Sequence, residues 1–154
     1  MSQHAADRII DQVVAQLQAA GLKVFVDPLA SLTEADMPCV RLRNFEDEVD
    51  SILFDGERTV ETHSLSFDAF CCDMVGSSAL RAAVGTLRHD VELALRGTQQ
   101  AAKLGGLLTR PMRRPSAQLD IDSDTLQKPV GGWSIRFVVT YGLHTDAPSK
   151  VEKE

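Results

Sequence analysis

Over residues 133–143 hydrophobic and polar positions alternate with a period of two. Ile135, Phe137, Val139, Tyr141 and Leu143 share one face, and Ser134, Arg136, Val138 and Thr140 share the other. The pattern predicts a long strand with one face in a core, entered through the pair Gly131-Gly132. The same alternation runs from Thr59 to Asp73, with Leu65, Phe67, Ala69 and Cys71 facing inward, so two long strands form the centre of the expected fold. Two stretches follow the helical period instead. Ile10, Val13, Val14 and Leu17 recur at spacings of three and four, with Ile9 at the edge of their face, and predict a helix over 5–20 that Gly21 stops. Leu80, Val84, Leu87, Val91 and Leu95 predict a second, starting at Gly76-Ser77 with Ser77 or Ser78 as N-cap and ending at Gly97.

Shorter elements fill the first half. Residues 22–26 read as a strand ending at Asp27-Pro28, 29–37 as a loop, and 39–42 as a strand introduced by Pro38. Two tracts resist assignment by period. In 44–61, Glu46, Asp47, Glu48, Asp50, Asp55 and Glu57 surround a small apolar island, Ile52-Leu53-Phe54, and Asp55-Gly56 signals a turn; the tract reads as a solvent-exposed excursion with at most one strand. In 99–130, a basic run around Arg110, Arg113 and Arg114 is followed by Asp120, Asp122 and Asp124, a charge-separated pair of blocks in one loop region. Leu107-Leu108 and 118–121 are strand material on either side of a Pro-containing segment, an edge strand or hairpin. Residues 145–154 are polar and expected to be a disordered tail behind a single domain spanning 1–144.

Composition narrows function more than fold. The chain has 154 residues, enough for one two-layer core. A formal charge of −6 argues against a general nucleic-acid binder, which needs positive charge to displace counterions from phosphate. The N-terminus has no signal-peptide pattern, and no apolar run is long enough to cross a bilayer, so a cytoplasmic protein with no membrane partner is expected. Cys39, Cys71 and Cys72 suit buried reduced thiols, because neighbours in a strand point to opposite faces and cannot bridge each other.

Chemistry-bearing motifs are weak. His89, Asp90 and Glu92 read as a solvated helix face. Asp120, Asp122 and Asp124 begin like a calcium loop, but the sixth position lacks the turning Gly and the twelfth is Gly131 where a bidentate Glu is needed, so an EF-hand is rejected. The local signatures of serine hydrolases, zinc proteases and P-loop nucleotide binders are also missing. No catalytic residue, metal ligand or cofactor is therefore expected.

The order of parts nevertheless has a precedent. The leading helix, the Val24-Phe25 strand, the entry Ala35-Asp36-Met37-Pro38-Cys39-Val40, the acidic excursion, a strand-glycine-helix unit, the Arg-Arg and acidic segments, and Trp133 opening a strand through Val139-Thr140-Tyr141 together resemble the minor tail protein U, or tail terminator, family of long-tailed phages. The resemblance covers about residues 5–143 and rests on short motifs in sequence order. It implies an α+β (α/β two-layer) fold with a mixed, mostly antiparallel sheet packed by two helices. It also implies a structural protein of the virion tail, assembled in the host cytoplasm, that forms a hexameric ring on the tail tube, stops tube growth and offers the head-joining surface. Its partners would be other copies of itself, the major tail tube protein and a head-completion or connector protein. A ring needs a heterologous interface that closes. The candidate patches are the charged blocks, represented by Glu46, Asp47, Glu48 and Asp50 on one side and Arg110, Arg113, Arg114, Asp120, Asp122 and Asp124 on the other. Competing readings are a small ligand-binding domain or enzyme with a site between sheet and helices, and a component of a contractile tail or tailocin.

Overall fold

The computed structural model describes residues 3–26, 34–74, 77–122 and 130–151. Expectations for Asp27-Pro28, the loop over 29–33, Gly76, Asp124 and 152–154 lie outside these residues. The chain is an α+β fold, and among the described residues five strands form one mixed sheet. In chain order the elements are α1 (Ala5–Ala19), β1 (Val24–Val26), a 3-10 turn (Glu34–Asp36), β2 (Cys39–Asp55), β3 (Arg58–Met74), α2 (Ser77–Arg96), α3 (Gln99–Ala102), a second 3-10 turn (Leu104–Gly106), β4 (Arg113–Asp122) and β5 (Val130–His144). The strand order is β1-β2-β3-β5-β4, with β1 parallel to β2 and every other pair antiparallel.

One face of the sheet carries the core. Leu65, Phe67, Ala69 and Cys71 of β3 and Ile135, Phe137, Val139, Tyr141 and Leu143 of β5 are buried there, as alternation predicts, under Ile9, Val13 and Leu17 of α1 and Leu87, Val91 and Leu95 of α2. Phe67 and Phe137 are cross-strand partners and stack with ring centroids 5.6 Å apart. The buried face of α1 runs through Ala5, Ile9, Val13 and Leu17, one position away from the predicted centre, while Ile10 and Val14 are half-buried at its border. His4 caps this helix, its Nδ1 accepting from the Ala6 N–H at 3.0 Å, and Gly21 closes it at a φ of 83° that favours glycine.

The tract over 44–61 is a correction. β2 and β3 are each 17 residues long and pair from Cys39–Cys72 to Asp55–Arg58, so the expected excursion is the distal half of a continuous hairpin with its turn at Gly56 and Glu57. Register shifts between Arg43 and Glu46 and between Val49 and Ser51 bend it without breaking it. The tract over 99–130 is corrected in part. Leu107-Leu108 form no strand, and Leu108 is instead buried in the core cluster, its N–H donating to the Lys103 carbonyl at 2.9 Å. Strand β4 begins earlier than expected and takes in Arg113, Arg114 and Pro115, so Arg113 and Arg114 lie at the start of an edge strand, and Asp120 and Asp122 at its end, and not in a loop.

Residues 145–151, expected to be disordered, lie against α1. The Ala5 N–H donates to the Pro148 carbonyl at 2.8 Å, Arg8 Nη1 donates to the Ser149 carbonyl at 2.9 Å, and Val151 packs on the core. Arg58 and Asp146 pair at 3.0 Å and tie the start of β3 to the same segment.

Candidate functional site

Because α1 and α2 cover one face, the opposite face of the sheet is built from the polar half of each alternation. Arg136 on β5 donates to Asp68 at 3.1 Å and to Ser66 at 2.8 Å, both on β3, and lies 3.6 Å from Glu46 on β2. Asn44 donates to Asp68 at 2.8 Å, and the Arg43 guanidinium sits 4.2 Å from the Phe70 ring centroid. A shallow cleft of about 370 Å³ opens on this face beside Asp68, Gln118 and Arg136. A groove of about 580 Å³ lies on the other side of the molecule, where Arg8, Asp11 and Gln12 of α1 face Leu104 and Leu107.

The charged residues singled out from sequence are distributed over the two margins of the sheet. Glu46, Glu48 and Asp50 are exposed on β2, and the first two are cross-strand partners of Ser66 and Ser64 on the polar face. The Glu48 carboxyl is held above its ordinary range, first by a hydrogen bond shared with Glu46 and then by repulsion from that neighbour. The Ser64 hydroxyl donates to Asp50.

Asp47 turns the other way. It is level with Leu65 on the helix-covered face, where it accepts from Tyr141 Oη at 2.9 Å and its Oδ1 lies 3.2 Å from His63 Nδ1. Glu61 Oε1 lies 3.1 Å from His63 Nε2, so carboxylates fix both ends of this buried ring, which stacks on Tyr141 with centroids 5.0 Å apart. Burial, then the Asp47 contact, pushes the Tyr141 phenol well above its ordinary range. Sequence reasoning did not find this cluster, because His63 and Asp47 belong to strands whose relative register it could not set. With both ring nitrogens engaged, the arrangement holds strand to strand.

On the far margin, Arg110 is exposed just before β4, Arg113 is exposed at its start and Asp120 is exposed near its end. Asp122 is the last residue of that strand, and Asp124 lies outside the described residues. Arg114 faces the helices, where Glu92 of α2 pairs with it and with Arg88 at 3.0 Å. Arg88 in turn lies 4.2 Å from the Trp133 ring centroid. Glu92 therefore has a structural partner set, while His89 and Asp90 form the solvated helix surface expected of them. The structure thus separates the acidic and basic blocks across the sheet and does not bring them together within one chain.

Apolar exposure is concentrated at the hairpin end. Phe54 is 80% exposed, Leu53 63% and Ile52 55%, a contiguous apolar run where surface hydrophobics are ordinarily scattered singly. The apolar island was legible in sequence, but its place at the tip of a long paired arm was not.

Among the described residues, no group of three or more His, Cys, Asp or Glu could hold a metal ion, and no helix is long and apolar enough to cross a membrane. No protein-family model matches the chain, and no curated protein matches it.

Proposed function

We propose that the chain is a tail terminator: a structural protein of a long-tailed phage or prophage that assembles as a ring on the end of the tail tube, halts its polymerisation and presents the surface that meets the head. The resemblance in order of parts supplies the class. The observation that carries the reading is the placement of charge and apolar surface at the margins of an α+β sheet. Ring assembly needs two different patches on each subunit, and here the acidic β2 margin and the basic start of β4 lie on opposite sides of the same sheet. The exposed Ile52–Phe54 end of the hairpin adds apolar surface of the kind that docking buries. The partners on this reading are further copies of the chain, the tail tube protein and a head-completion protein.

Arg113→Glu is the most direct single change. Arg113 is exposed, so the fold should lose no more than about 0.5 kcal/mol. Arg114 is less suitable because its reversal would set a second carboxylate against Glu92. Electron microscopy of particles assembled with the Arg113→Glu chain should show overlong, headless tails. Normal virions would remove this arginine from the assembly surface.

A further inference from the structure

The pairing registers allow the two margins of the sheet to be compared row by row. Glu46 on β2 is level with Ser66 on β3, Ser66 with Val138 on β5, and Val138 with Arg113 on β4, so one transverse row has a carboxylate at one margin and a guanidinium at the other. A second row runs from Cys39 through Cys72 and Gly132 to Asp120. At the near margin of that row stands Lys23, which is exposed and leads into β1, its carbonyl accepting from the Val40 N–H at 2.8 Å. The rows are about 20 Å apart at the usual rise of an antiparallel strand. Charge thus reverses along each margin, and it reverses in opposite senses: acidic then basic on the β2 side, basic then acidic on the β4 side.

Two further features match. Each margin has its register shift between the same two rows, Arg43/Glu46 on β2 and Arg113/Ser116 on β4. Among the described residues, β1 pairs with β2 only at Val40–Leu42, which leaves the outer side of 43–55 without a strand beside it. Three antiparallel pairings separate β2 from β4, so the two run in opposite directions. A neighbouring copy in the same orientation would therefore bring its β4 antiparallel to this β2.

From this complementarity we propose that copies of the chain join margin to margin, the β2 side of one against the β4 side of the next, with Glu46 meeting Arg113 and Lys23 meeting Asp120. The contact deepens the ring reading and rests on it for the need of a heterologous, closing interface. Side chains make the contact, because Pro115 has no N–H to offer and both margins are irregular at the central rows. Because β1 covers β2 at Val40–Leu42, a β2-to-β2 pairing would place its two-fold axis in the uncovered half and set Glu46, Glu48 and Asp50 against their own kind, which costs free energy. Pairing β4 with β4 would match Arg113 to Asp120 but leave the apolar end of the hairpin unused.

Glu46→Cys and Arg113→Cys variants test this, since the three native thiols are buried. Mixed and mildly oxidised, the two should give a disulfide-linked dimer that neither gives alone, and the chain carrying both changes should give a ladder of multimers. No cross-link in the mixture, or an equally strong one with Arg113→Cys alone, overturns the proposal. As a second readout, in sedimentation at concentrations high enough for the weak association of the free subunit to register, Glu46→Arg and Arg113→Glu should each weaken it, and the two together should restore it; failure of the combined change to restore association also overturns the proposal. Cross-linking alongside tails of normal length in particles assembled without the chain would remove the terminator reading and leave the contact. Overlong tails without cross-linking would do the reverse.

Discussion

Tyr141, the one tyrosine of the chain, joins the core to the polar cluster at the base of the hairpin. Its folded-state pKa lies above the ordinary 10.0 because burial and the Asp47 carboxylate disfavour phenolate. A raised folded value means that the native state holds the proton more tightly, so the contribution to stability is fully present below pH 10 and is lost as pH rises toward the folded-state value. The Cys71 thiol, pushed up to about 12 by burial, acts in the same direction from its ordinary 9.0 upward. Tyr141→Phe should cost about 1 kcal/mol at neutral pH for the lost hydrogen bond, and should make alkaline destabilisation less steep. Denaturant titrations across the alkaline range check this, and an unchanged slope would mean the phenol is not protected. The burial of Tyr141 was legible from alternation, but the inward turn of Asp47 was not. Val40 and Leu42 face the helices, and strict alternation would send Asp47 outward. Asn44, at a φ of 57°, and the register shift beside it reverse the parity, so Phe45 and Asp47 face inward.

The long central strands and both main helices could be read from their periods because each buries one complete face. The hairpin end could not: Asp and Glu are poor strand formers, and its distal pairing is maintained by β3, a partner supplied by later sequence. Strand β4 was missed at its start for a related reason, since Pro115 weakens the local strand signal where only an edge position tolerates it. Removing a large side chain from the shared face should be costly. Phe67→Ala, Leu87→Ala and Phe137→Ala are each expected to lose about 3 kcal/mol in chemical denaturation, and parental stability in all three would mean the strand and helix faces are wrongly assigned. Gly132 is constrained differently. A Cβ there would collide with the Cys71 carbonyl on the adjacent strand. Gly132→Ala should therefore lose about 1–3 kcal/mol by overpacking, and a variant as stable as the parent would show that the two strands separate easily at this row.

At the scale of the molecule, sequence pattern identified an α+β core and the charged segments, while topology decided that those segments occupy opposite margins of the sheet. On the proposed ring, that separation would make the two charge blocks complementary patches on successive copies, and no local pattern contains it. On the proposed reading, a terminator also has to avoid closing rings before it reaches a tube, so the free subunit is expected to be monomeric or weakly associated in sedimentation over a wide concentration range. A stable free ring would mean that docking does not depend on the tube end. The central claim concerns tail length, and electron microscopy of particles assembled without this chain, with and without added purified protein, measures it directly. The account predicts overlong, headless tubes in its absence and restored length on addition; tails of normal length without the chain would contradict it.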